Sequence, residues 1–359
     1  MNMVKKICTV ALSLLMVFSI SGCSDLSWIM KTQDTTLPIG VYIFYMSSAY
    51  SEAYNEVPSD YLDVLDQKVD DKDVPEYIKE KATDYCKKLI EVEKEFDERG
   101  LSLTEEELSQ AEEATDVQWK KYGSIYEGFG VSKESFHRAS TLYTLKSQKL
   151  YIDIYGEDGT KKTTDEDIKN YYLDNYTSYS YVAKPLYTTE TAENTDENDE
   201  SADDQKSQTR NLTDDEVAQI EEEFNGYVSD MENGASIDSI DSKYKEKNNT
   251  DKGINTYEEN LEDARLQDEI KDALKEMPNN SARAIKITGA YYFVYKNDIA
   301  NTLDKLSEDE LKSTVRSEMN GKGFDDTLLS NANNLDIKIN QRAIKKYTPE
   351  IFRKKDKNK

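Results

Sequence analysis

The sequence predicts a mostly α-helical protein that carries one small α+β domain. Three observations predict it. Apolar residues recur at three- and four-residue spacing through much of 38–155 and again beyond 307, the period of a helix with one buried face. Stretches with the alternation and aromatic or β-branched content of strands are few, at 179–187, 284–287, 291–295 and 335–339. Their order is helices, then strand, helix, helix and hairpin, then helix again. That is too few strands for a large-sheet enzyme.

The chain opens with Lys5 and Lys6, an apolar run over 7–20 and a small-residue exit, Ser21-Gly22-Cys23. Charge, apolar core and small residues in that order mark a secretory signal over 1–22. The run is shorter than the roughly 20 residues a membrane span needs. Cysteine after Ser-Gly resembles the lipobox of bacterial lipoproteins. That resemblance implies lipidation of Cys23, a palmitate-class anchor and a polar tether over 23–37.

A helix is expected from Leu37-Pro38-Ile39-Gly40, with Val41, Phe44, Tyr45 and Ser48 on one face and Tyr42, Met46 and Ala49 beside it. Residues 56–73 read as acidic and irregular. Pro75 suits a first helical turn, and Ile78, Ala82, Tyr85, Leu89, Val92 and Phe96 continue a helix until Gly100. Thr104-x-x-Glu107 is a capping box ahead of Leu108, Ala111, Ala114 and Val117. Val131-Ser132 opens the next helix, through Phe136, Leu142, Leu145 and Leu150, and Gly156 and Gly159 end it.

Thr164 caps a short helix, and 179–187 is expected as a strand. Residues 188–211 have almost no apolar side chain and read as a disordered or long surface loop. Thr213-x-x-Glu216 caps a helix carrying Val217, Ile220, Phe224 and Val228, and 237–244 is another. A helix over 261–277, a turn at Pro278-Asn279-Asn280 and a hairpin of 284–287 with 291–295 follow. A helix from Ser307 and a strand at 335–339 close the chain. The domains are therefore 38–178 (helical, N-terminal part), 179–300 (α+β) and 301–359, a C-terminal helix returning to the first.

Composition narrows the function. The net charge is −26, and loss of 1–22 removes two lysines and no acid. Nucleic-acid binding, which needs clustered Lys and Arg, is excluded. Of three cysteines only Cys86 lies within a helical pattern, as a packed small hydrophobe, so neither a disulfide framework nor a Cys-based metal site is expected. The sole histidine, His137, excludes a histidine dyad and His-rich zinc sites and, reading as a surface or packed helix residue, is not expected to serve a Ser-His-Asp hydrolase. Thr195–Asp199 lacks the glycine and closing Glu of a calcium loop. No carboxylate pair stands out in a chain that is one-third charged. No metal and no cofactor are assigned.

Several segments, taken in order behind a lipoprotein signal, resemble the PrsA/SurA family of exported parvulin foldases and chaperones. Thr163-Thr164-Asp165-Glu166-Asp167-Ile168 with Tyr171 and Tyr172 is similar to the family's junction helix. Gly234-Ala235 with Ile237, Ile240, Lys243 and Tyr244 is similar to the segment after the first parvulin helix, and residues 290–296 resemble the last parvulin strand. The resemblance implies a helical SurA-N-like chaperone domain with an inserted parvulin-like domain over 179–300 and a returning C-terminal helix.

Active parvulins carry a histidine late in the first strand, where Pro185 stands here, and another in the last strand, where Tyr292 stands. For the Cys or Asp that joins them, Asp251 is a positional match only. A twisted amide needs a polar network to stabilise it, so the resemblance implies a degenerate site without catalytic residues. Tyr292, Asp251 and Tyr181 are the candidates should isomerase activity exist.

The expectation is a lipid-anchored chaperone on the outer face of the cytoplasmic membrane, binding unfolded or newly secreted polypeptides, with a homodimer left open. The alternatives are an active peptidyl-prolyl cis/trans isomerase and a ligand-binding lipoprotein, the latter without the βα alternation of two-lobed solute binders. Among 25 tyrosines, Tyr42, Tyr45 and Tyr50, with Phe44, are the expected exposed client face, since aromatic rings give large contact area.

Overall fold

The structure, a computed structural model, describes residues 27–57, 63–191 and 207–353. Cys23, the signal and most of the tether lie outside the described residues, as does 192–206. The chain divides into two compact units, one of residues up to Lys162 with those from Asn320, the other Thr163–Met319. The second is thus an insertion in the first. Its boundaries take in the helix Asp165–Asn175 and the start of the helix Asp309–Asn333, both of which lie outside the expected 179–300.

In the first unit the expected tether is partly structured. Trp28–Lys31 pairs antiparallel with Thr36–Pro38 on one side and Lys338–Ile339 on the other. Ile29, Met30 and Leu37 are fully buried, and Asn340 donates its side-chain amide to the Trp28 carbonyl at 2.9 Å. Three apolar residues gain a core that a free tether would leave in water. The stretch expected to be irregular likewise holds a 3-10 turn, Val64–Asp66, and a hairpin of Lys68–Val69 with Lys72–Asp73. Asp70 and Asp71 both have positive φ, the primed-turn conformation that short acidic side chains tolerate.

The helices Ile39–Glu56 and Val74–Glu98 pack their apolar faces together. Tyr42, Ile43, Met46, Ile78, Cys86 and Leu89 are completely buried between them. The helix Glu105–Phe129 begins at the expected capping box: Thr104 Oγ1 accepts from the Glu107 amide at 3.1 Å, and Glu107 from the Thr104 amide at 2.7 Å. It ends at Gly130, whose φ of +94° favours a residue without Cβ. The run expected as one helix from Ser132 to Tyr155 is three pieces, Lys133–His137, a π turn Arg138–Leu142, and Tyr143–Tyr155. His137 Nδ1 lies 2.8 Å from Thr115 Oγ1 and 2.9 Å from Thr141 Oγ1, a packed helix histidine. A satellite core joins Val92, Leu150, Phe324 and Leu328.

The second unit is built on a four-stranded antiparallel sheet ordered Asn255–Asn260, Tyr176–Pro185, Ala290–Lys296, Ser281–Ile287. The alternation of the two central strands sends Val182, Tyr291 and Phe293 to one face. There they meet Ile220, Phe224 and Tyr227 of the helix Asp214–Glu232 and Ile240 and Tyr244 of Ile237–Asn248. The opposite face carries Tyr179, Tyr292 and Val294 against Leu261, Ala264, Ile270 and Leu274.

Two expectations fail here. The helix expected over 261–277 is confined to Asp268–Glu276, and the polar stretch before it is the strand Asn255–Asn260. The expected loop 188–211 has paired ends, Tyr187–Thr191 with Ser207–Asn211. Backbone pairing, which needs no apolar side chain, decided the strand and the paired loop ends.

The helix side of the sheet also holds a buried polar network. Glu223, in the helix Asp214–Glu232, accepts from Lys184 Nζ at 2.8 Å, Tyr227 OH at 2.9 Å and Asn248 Nδ2 at 3.0 Å. The Lys184 ammonium also lies 5.7 and 5.5 Å from the ring centroids of Phe224 and Tyr244. Among the described residues no helix is long and apolar enough to cross a membrane, and no group of three His, Cys, Asp or Glu side chains is placed to hold a metal.

Candidate functional site: a tyrosine-lined sheet face

The period of two along the strands gathers four tyrosines on the face away from the two longer helices. Tyr179 stands directly across from Tyr257, Tyr181 is two residues along the same strand, and Tyr292 stands across from Ala183. Ring centroids of Tyr179 and Tyr257 are 5.5 Å apart, of Tyr181 and Tyr257 5.5 Å, and of Tyr181 and Tyr292 5.9 Å. Such pairs contribute about 0.5–1.5 kcal/mol each beyond area burial. Tyr179 and Tyr292 are buried, Tyr181 is half-buried and Tyr257 is 38% exposed, so the row grades from core to surface.

The phenols are anchored. Tyr179 OH donates to Glu259 Oε1 and Tyr292 OH to Gln267 Oε1, the latter at 2.9 Å. Burial, reinforced by the Glu259 carboxylate, pushes the Tyr179 phenol well above its ordinary value, and burial beside Tyr257 raises Tyr181. Both stay neutral at physiological pH. The face thus offers flat aromatic surface and fixed hydroxyls, together with Lys296, which stands across from Tyr179, donates Nζ to the Leu274 carbonyl at 2.7 Å and is held below its ordinary value by burial.

Tyr181 and Tyr292 are brought together as neighbours. Asp251 is not with them: it is exposed in the turn after Ile237–Asn248, with no hydrogen bond or ion pair to either. Pro185, the position matched to the first parvulin histidine, stands across from Ala290, while Ala183 is the cross-strand partner of Tyr292. Tyr257 and Gln267 were missed. Tyr257 is the sole aromatic of Asn-Thr-Tyr-Glu-Glu-Asn, which has polar residues on both faces and no strand signature.

The expected client face on Ile39–Glu56 is overturned for two of its four residues. Tyr42 is fully buried and Tyr45 is 6% exposed, with its hydroxyl donating to the Ala139 carbonyl at 3.1 Å. Phe44 and Tyr50 are half-buried, Phe44 against Tyr126 and Phe136, and Tyr50 against Phe352. The helix is apolar on more than one side because it is packed on more than one side.

No protein-family model matches the chain, and no curated protein matches it. It is similar to solved foldase structures. Crystalline PrsA from Bacillus subtilis is 14% identical, with 93% of this chain and 100% of that chain covered at a TM-score of 0.26. Foldase protein PrsA from Streptococcus pneumoniae is 15% identical over 81% and 98%, at 0.30. Peptidylprolyl isomerase (PrsA) from Bacillus cereus is 16% identical over 82% and 97%, at 0.31. At such TM-scores the likeness assigns no activity to this chain.

Proposed function

We propose that the protein is a membrane-anchored, extracytoplasmic chaperone or foldase. It binds unfolded secreted polypeptides, its prolyl isomerase chemistry is lost, and Cys23 carries the lipid. One observation carries this reading: the sheet face that would hold a parvulin's histidines presents Tyr181, Tyr257 and Tyr292 instead. Aromatic rings with tethered hydroxyls suit reversible contact with extended chain and with proline rings. They do not suit transfer of a proton, and phenols hydrogen-bonded to Glu259 and Gln267 have little freedom to reorganise around a twisting amide.

The test pairs two assays on the purified full chain: cis/trans isomerisation of a short prolyl peptide, and aggregation of an unfolded secreted protein. Suppressed aggregation without acceleration of the peptide supports the reading. Acceleration that is lost in Tyr292→Phe and Tyr181→Phe would replace it with an active isomerase. Absence of both effects would remove the foldase reading.

A further inference from the structure

Within the first unit a cleft of about 570 Å³ opens between the turn joining Trp28–Lys31 to Thr36–Pro38, the helix Val74–Glu98, and the segment at Leu335. That size lies within the range of ligand pockets. Its floor is apolar, from Ile90 and Leu335, and its rim is acidic. The cations there are already engaged. Lys94 is paired with Glu98 at 2.7 Å, and the Lys146 ammonium sits 5.2 Å from the Phe96 ring centroid. Of the acids, Glu93 is paired with Arg138. Three remain, Asp34, Asp97 and Asp336, and none meets a cation within ion-pair distance among the described residues.

The wall carrying Asp34 is fixed before anything binds. Arg138 grips Glu93 through two hydrogen bonds of 2.8 and 2.7 Å, and also donates to Thr35 Oγ1 at 2.9 Å and to the Thr36 carbonyl at 3.0 Å. Thr32 Oγ1 accepts from the amides of Thr35 and Asp34. A cleft held open by its own hydrogen bonds loses little entropy on filling.

We propose that this cleft is a docking site for a lysine- or arginine-bearing stretch of extended polypeptide. The aliphatic stem would lie on Ile90 and Leu335, with the cation among Asp34, Asp97 and Asp336. Long basic side chains combine those two surfaces: an apolar stem that packs and a charged head that stays at the rim. The inference deepens the chaperone reading and rests on it, naming basic segments of clients as the preferred cargo.

The test uses the full chain and fluorescein-labelled peptides of equal apolar content that differ only in carrying lysine, glutamate or serine, read by anisotropy at low salt. The lysine peptide is expected to bind about tenfold more tightly than the glutamate peptide, with the advantage shrinking as salt rises. Asp34→Asn, Asp97→Asn and Asp336→Asn together should remove that advantage. Glu112→Gln, Glu113→Gln and Glu127→Gln, exposed acids on Glu105–Phe129, change the net charge equally and should leave it intact.

Equal weakening by the two triple variants would overturn the cleft and assign the preference to the field of the whole anionic surface. Equal binding of the lysine and glutamate peptides would overturn it outright. If aggregation is suppressed while the cleft variant binds lysine peptide as the parent does, the cleft falls alone. If no peptide binds and aggregation proceeds unchecked, the chaperone reading falls with it.

Discussion

Replacing Lys184 by Met removes the cation that meets Glu223 at 2.8 Å and Asn248 Oδ1 at 2.5 Å. Breaking a buried ion pair by deleting one partner costs about 3–5 kcal/mol when the remaining charge is left alone. Glu223 is not left alone. Tyr227, Asn248 and, at 3.4 Å, the largely exposed Lys247 still face it, and methionine keeps most of the packing over Phe224 and Tyr244. The expected loss is therefore about 2 kcal/mol.

The two units allow a clean assay. Both tryptophans, Trp28 and Trp119, belong to the first unit, so tryptophan fluorescence follows its unfolding alone. Near-ultraviolet tyrosine dichroism reports the second as well. Lys184→Met should move the second unit's denaturant midpoint and leave the tryptophan transition in place.

Acid adds a second readout. Burial pushes the Glu223 carboxyl up, but hydrogen bonds from Lys184, Asn248 and Tyr227 outweigh it and hold the group below its ordinary value. Its contribution is thus complete above the unfolded-state value and lost as pH falls through the folded one. The variant should lose part of that acid sensitivity. A loss under about 0.5 kcal/mol, of the size of an exposed pair, or a shift of the tryptophan transition, would refute the argument.

Glu91 runs the other way. It is almost fully buried, one carboxylate oxygen has no partner among the described residues, and burial raises its value against the opposing pull of Lys94. A raised folded value gives stability below the unfolded value that is lost as pH rises through the folded one, so Glu91→Gln should raise the first unit's Tm more at pH 8 than at pH 5. An equal gain at both would refute it. Cys86 is fully buried and its thiol is pushed far above the ordinary range by burial. In a Cys8→Ser, Cys23→Ser background it should react with a thiol reagent only at the rate of first-unit unfolding; rapid native-state labelling would contradict the packing described.

Along the chain, the legible features were those encoded within a few residues. The Thr104 and Thr213 capping boxes form as the spacing implied, because donor and acceptor are three positions apart. The closing hairpin pairs Ala290 with Ile287 across a tight turn with Gly289 at φ +82°. The same locality made the alternation of 179–187 readable as a strand. What failed depended on distant partners. Trp28–Lys31 is a strand because Lys338–Ile339 lies beside it, and Asn255–Asn260 is one because the strand Tyr176–Pro185 offers its edge. Asn255–Asn260 carries no apolar pattern of its own, and the short apolar run Trp28–Met30 becomes a strand only beside its partners.

By itself, then, the sequence determined the helical character of the first unit, the existence of a small α+β insertion, and the want of histidine chemistry, since one His in the chain cannot form a dyad. Tertiary structure decided which aromatic residues meet solvent. Tyr42 and Tyr45 have an exposed look in sequence, because their helix is apolar on several sides, yet they are interior because neighbouring helices cover those sides. Tyr257, unremarked in a polar stretch, completes the tyrosine face because sheet register sets it across from Tyr179. Burial is a property of what packs against a residue, and that partner is supplied by chain tens to hundreds of positions away.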